Sequence, residues 1–183
     1  PLSEIMQSQP TTVRKPRRRC PSSCARHADS HALFTPANLT SSSGSSAILA
    51  NAGCRYVFYD MEHTGLGFET LKWLFASCRG LPIEPMVRVP RGEYAFLARA
   101  LDLGARGVMI PMVETVDQAR DIVSYAVFCL KKKRGAAFGF ALDDYLGGKV
   151  ADKIQIAHER TLVVAQIETA IGLDNVEQIA AVD

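Results

Sequence analysis

From about residue 45 onward, short apolar runs alternate with amphipathic helical stretches, one pair every ~25 residues. Strands separated by helix-length segments cannot close as hairpins. They pair in parallel through βα crossovers, which makes the fold α/β. Ser46 to Gly53 reads as the end of a helix, with Gly53 as its stop. Arg55 to Met61, containing Tyr-Val-Phe-Tyr, reads as a buried strand. Phe68 to Cys78 places Phe68, Leu71, Leu74 and Phe75 at helical spacing. Ile83 to Val89 predicts a second strand, and Glu93 to Leu103 a helix stopped by Gly104. Gly107 to Val113 predicts a third strand. Asp117 to Leu130 predicts a helix capped by Asp117, with Thr115 as the competing cap. Leu162 to Ile167 predicts a fourth strand, and Asn175 to Ala181 opens another helix.

The strands are continuous apolar runs, as expected when both faces of a sheet are covered. Periodicity does not separate a barrel from an open, doubly wound sheet. Polar residues at successive strand ends favour the barrel: Asp60, Glu62 and His63, then Arg88, then Glu114, then Gln166 and Glu168. A barrel gathers its strand ends around one mouth, where the βα loops build the site. No glycine-rich phosphate fingerprint follows any strand. A full (β/α)8 barrel takes about 250 residues, and this chain has 183. The expectation is therefore a partial (β/α)8 barrel over residues 41–183 that lacks the C-terminal strands.

Residues 1–40 differ from the rest. They carry Pro10, Pro16, Pro21 and Pro36, many serines, and the basic run Arg14-Lys15-Pro16-Arg17-Arg18-Arg19. No periodic apolar pattern appears, so they read as a disordered basic arm. An Arg- and Ser-rich, acid-poor start also suits an organelle transit peptide, whereas the features of a secretory signal are missing. Such an arm also suits nucleic acid or a membrane surface. A solvated tail fits the composition best, and neither partner is expected. Cys20, Cys24, His27 and His31 invite a zinc reading, but only Ala25 and Arg26 separate Cys24 from His27. A finger needs about 12 residues there. No apolar run reaches the roughly 20 residues needed to span a bilayer. The five cysteines include no Cys-x-x-Cys pair. They fit a reduced, cytoplasmic protein with buried thiols.

At the strand ends, a carboxylate suits a hard metal, a fixed cation suits a developing oxyanion, and an imidazole suits proton transfer. Each residue alone has a plainer role, as a helix cap or an ion-pair partner. Their joint placement at strand ends favours the chemical reading. No lysine lies on any of the four strands, which disfavours Schiff-base chemistry. Lys131, Lys132 and Lys133 form a solvated run at a helix end.

Five strings in order carry a resemblance: Asp-Met-Glu-His-Thr (60–64), Met-Val-Arg-Val-Pro (86–90), Leu-Asp-Leu-Gly-Ala-Arg-Gly-Val-Met-Ile-Pro-Met-Val-Glu-Thr (101–115), Arg-Gly-Ala-Ala-Phe-Gly-Phe-Ala-Leu-Asp-Asp-Tyr (134–145) and Ala-Gln-Ile-Glu-Thr (165–169). From about residue 45 to its end the chain resembles the HpcH/HpaI aldolase/citrate lyase family, in particular its 2-dehydro-3-deoxyglucarate and 4-hydroxy-2-oxoheptanedioate aldolase branch. The resemblance implies a divalent metal, Mg²⁺ or Mn²⁺ with Co²⁺ also admitted, on Glu168. It implies that Gln166 contacts substrate and that Arg88 holds the pyruvate oxygen and stabilises the enolate. His63 would be the general base, and Asp102 would raise its basicity. The implied reaction is retro-aldol cleavage of a 2-oxo-4-hydroxy acid to pyruvate and an aldehyde, in a homo-oligomer. A second acidic metal ligand is expected on a strand beyond Asp183. The competing expectations are an acyl-CoA lyase of the citrate lyase branch and an inactive relative acting as an interaction module.

Overall fold

The computed structural model describes residues 32–34, 44–128 and 133–182. The basic run, the zinc-like cluster from Cys20 to His31, Cys129, Lys131 and Lys132 lie outside them. One five-stranded sheet runs β1 (Ala32–Phe34), β2 (Tyr56–Asp60), β3 (Glu84–Arg88), β4 (Gly107–Ile110) and β5 (Leu162–Ala165), in that spatial order. Every neighbouring pair is parallel. The helices are α1 (Ser45–Asn51), α2 (Phe68–Cys78), α3 (Tyr94–Asp102), α4 (Val116–Ala126), α5 (Val150–Arg160), α6 (Ala170–Asp174) and α7 (Val176–Ala180), with a 3-10 turn at Ala141–Asp143.

Strictly sequential order answers the question that periodicity leaves open. A doubly wound sheet reverses its strand order at a switch point. Here each strand lies beside the one before it, and right-handed crossovers then put every helix on the same side. That is barrel topology: the chain forms part of a (β/α)8 barrel. Side-chain alternation separates the two faces. Val57, Tyr59, Val87, Val89, Val108 and Ile110 pack against Leu71, Phe75, Leu97, Leu101 and Ile122 of α2 to α4, forming the main core. Phe58, Met86 and Met109 form a smaller cluster with Tyr56 and Val164 on the opposite, inner face.

Several boundaries differ from expectation. Three residues assigned to the arm, Ala32–Phe34, form β1, with Leu33 paired to Val57. Three residues of strand among prolines and serines leave too short a run for periodicity to register. The cap of α4 is Thr115, not Asp117. Its side chain accepts from the Gln118 N–H while Gln118 reaches back, a complete capping box. α4 also ends at Ala126, before the predicted Leu130. Gly53 and Gly104 do end α1 and α3, in backbone conformations of φ 89° and 108° that favour glycine.

Candidate active site

Parallel strands present the last residues of β2 to β5 along one rim of the sheet. By alternation, Asp60 shares the face of Phe58, Arg88 that of Met86 and Gln166 that of Val164. All three polar groups therefore rise from the inner wall. The β2–β3 register sets Asp60 directly beside Arg88. Arg88 Nε donates to Asp60 Oδ1 at 2.9 Å and Nη2 donates to Oδ2 at 2.5 Å, a two-point fork. Its remaining nitrogen, Nη1, lies 3.3 Å from Glu62 Oε2. That oxygen is buried and has no well-directed hydrogen bond, so this contact is an ion pair by distance alone. The Glu62 N–H donates to Asp60 Oδ1 at 2.9 Å, and the Thr64 hydroxyl donates to the Asp60 carbonyl.

Burial alone pushes the Asp60 carboxyl upward. The hydrogen bonds from Arg88 and from the Glu62 N–H outweigh it and hold the group below the usual carboxylate range. Arg88 is held more firmly charged than a free arginine. Its hydrogen bond to Asp60 is the largest cause, and the charges of Asp60, Glu62 and Glu168 also act against burial. The result is an oriented, permanently charged guanidinium at the mouth. His63 follows on the loop after β2. Its side chain is 69% exposed, with Nε2 3.6 Å from Glu62 Oε2.

The end of β4 is irregular. Gln166 N–H donates to the Ile110 carbonyl at 2.8 Å, and Val113 N–H donates to the Gln166 carbonyl at 3.2 Å. Pro111 and Met112 therefore bulge out of the ladder opposite one residue. Met112 adopts a left-handed φ of 55°, and its freed N–H donates to Glu168 Oε2 at 3.1 Å. Gln166 Nε2 donates to Glu168 Oε1 at 2.6 Å. This bond fixes which end of the Gln166 amide points where and leaves Oε1 buried and unpartnered.

Among the described residues no three His, Cys, Asp or Glu side chains converge on one point. The donors at Glu168 nevertheless fit a hard divalent cation in kind. A carboxylate has about four lone-pair sites, and Glu168 uses one on each oxygen. One carboxylate and retained waters suit Mg²⁺ or Mn²⁺, though weakly.

Asp102 does not join this group. It is the last residue of α3, which runs back from the end of β3 toward the start of β4. Its carboxylate accepts from Arg134 Nη2 at 3.0 Å and does not touch His63. Within the chain the partner of the Asp102 carboxylate is thus Arg134 rather than His63. The carboxylate beside His63 is Glu62. Sequence reasoning left Asp60 and Met112 without roles. The pairing of Asp60 with Arg88 had a signal, since both end adjacent strands; the left-handed Met112 had none.

A sequentially ordered parallel βα sheet with its charged groups at the carboxyl ends of the strands is the arrangement of a (β/α)8 barrel. A model of the family described as HpcH/HpaI aldolase/citrate lyase matches residues 32–183. The chain belongs to this family. It is 38% identical over 140 residues to a 4-hydroxy-2-oxovalerate aldolase of Novosphingobium aromaticivorans, covering 74% of this chain and 51% of that protein. It is 32% identical to a hydroxypyruvate/pyruvate aldolase of Roseovarius nubinhibens, covering 74% of this chain and 52% of that one. Among solved structures, an HpcH/HpaI aldolase from Desulfitobacterium hafniense superposes with a TM-score of 0.73 at 26% identity, over 81% of this chain and 55% of that one. The chain spans about half the length of the curated relatives it matches.

Proposed function

We propose that this chain carries the enolate-forming wall of a divalent-metal-dependent aldolase that cleaves 2-oxo-4-hydroxy acids to pyruvate and an aldehyde. The observation that carries the reading is the Asp60–Arg88–Glu62 lock, which holds a charged guanidinium at the mouth of the strands. Relatives named as aldolases support it.

In this reading Arg88 receives the 2-oxo oxygen of the substrate. His63 takes the proton of the 4-hydroxyl. The C3–C4 bond breaks, its electron pair forms the enolate, and the aldehyde leaves. Arg88 stabilises the enolate oxygen, where charge develops. The protonated His63 returns its proton to C3, which gives pyruvate and restores the base. Gln166 would contact the substrate through its side-chain amide, whose Oε1 has no partner within the chain. Glu168 would hold the divalent cation, which when bound would supply Lewis-acid chemistry beside Arg88.

Pyruvate release from a racemic 4-hydroxy-2-oxo acid, with Mn²⁺ at about millimolar concentration, tests the proposal. Release that Glu168→Ala abolishes supports it. No release with any divalent metal favours the inactive, interacting relative. Release indifferent to Glu168→Ala removes Glu168 from the assignment. For the 183-residue chain, calorimetry should give Mn²⁺ affinity no tighter than about millimolar, as for other low-charge sites. Micromolar affinity lost on Glu168→Gln would mean that a further carboxylate, such as Glu62 or Glu114, completes the set.

A further inference from the structure

The bulge at the end of β4 shifts the alternation by one residue, so that Val113 joins the core at 2% exposure, and it leaves Met112 to carry the cost. Met112 sits at φ 55° and is 51% exposed. A left-handed conformation disfavours an unbranched L residue by roughly 1–2 kcal/mol. No glycine or asparagine relieves it here, and its exposed side chain recovers little through burial. What the conformation does produce is a main-chain N–H, taken out of the ladder and aimed at Glu168 Oε2 at 3.1 Å. The residues on either side are tied back to the sheet through Gln166, by Ile110 O and by Val113 N–H. The Met112 amide is therefore held from both sides. Gln166 Nε2 holds the other oxygen of Glu168 at 2.6 Å. Strain that persists at a candidate site, over-determined by its surroundings, points to a role there.

We infer that the Met112 backbone amide is a positioning group: besides carrying Val113 into the core, the bulge orients the Glu168 carboxylate, so that its outward lone pairs face the mouth. The group acts through Glu168 and touches no substrate. The inference deepens the metal-ligand reading of Glu168 and rests on it for its consequence, while its geometry is testable alone.

Amide hydrogen exchange on the 183-residue chain tests the geometry without metal or turnover. Glu168→Ala should speed exchange at Met112 and leave Val113 protected, because Val113 donates to Gln166 instead. Unchanged Met112 exchange overturns the inference. Mn²⁺ titration followed by electron paramagnetic resonance tests the consequence. Met112→Val keeps the N–H but disfavours the left-handed backbone. It should weaken Mn²⁺ binding about tenfold, the scale of a lost supporting bond around a metal ligand. Met112→Gly accepts the conformation and should restore binding to within about twofold, well inside that tenfold effect. In a Glu168→Gln background the Met112→Val effect should vanish. A folded Met112→Val chain that binds Mn²⁺ like the parent overturns the inference. If Met112→Val fails to fold, the exchange measurement decides. If Mn²⁺ binding by the parent is too weak to measure, as a single carboxylate allows, the exchange measurement alone decides the inference, and pyruvate release decides the functional reading.

Discussion

Arg88 is the residue on which the proposed chemistry turns, and Asp60 is what makes it usable. A free arginine samples many rotamers; the fork from Asp60 allows one. Arg88→Lys keeps the charge but cannot reproduce the fork. Pyruvate formation should fall by about 10²–10³ in kcat, the scale of losing one preorganised oxyanion donor. Steady-state kinetics, reading kcat apart from KM, check this. Asp60→Asn leaves the largely buried Arg88 charge with a neutral acceptor in place of the fork and only the ion pair to Glu62. Urea unfolding should show a loss of about 3 kcal/mol, the low end for breaking a buried pair. Because the folded Asp60 pKa is depressed, its contribution is complete above the unfolded value near 3.9 and fades as pH falls through the lower, folded one. Melting temperature against pH should therefore drop less steeply below about pH 4 in Asp60→Asn than in the parent.

At the scale of elements, β2 to β5 and α2 and α3 were legible because their apolar residues come as unbroken runs or at helical spacing. α5 was not: of its residues only Ala157 is buried, so it has almost no stripe to read. β1 is short and surrounded by turn formers. At the site, each polar strand end could be read one strand at a time, whereas the Asp60–Arg88 fork is a property of register between two strands. The place of Asp102 depends on the direction of α3 through space. Two contacts between elements are open to test. Thr115→Ala removes the α4 capping box and should cost about 1 kcal/mol, seen in denaturant midpoint without loss of the fold. At Gly172 of α6 an added Cβ would meet the Val113 carbonyl at 2.7 Å. Backbone cannot yield as a side-chain tip can, so Gly172→Ala should destabilise by about 1–3 kcal/mol and displace the segment that carries Glu168. Reduced Mn²⁺ binding together with a lower urea midpoint is the expected pair of results.

For the whole molecule, β1 and β5 are the two edges of the sheet. β5 is covered only in part, with Leu162 exposed and Val163 to Ala165 half-buried. An uncovered apolar edge invites pairing with another strand. The 183 residues expressed alone should therefore associate, with an apparent mass that rises with concentration in light scattering; a concentration-independent monomer would count against this. Within each strand the labour is divided along its length. Val57, Val87 and Val108 have no exposed surface, while Asp60, Arg88 and Gln166 stand at or just past the ends. Mutational tolerance should follow the same line. In a library sorted once for cellular abundance and once for turnover, substitutions in strand bodies should fail the first screen. Those at the tips, the ion-paired Asp60 excepted, should pass it and fail the second, so that new specificities can drift in at the rim while the wall beneath them stays unchanged.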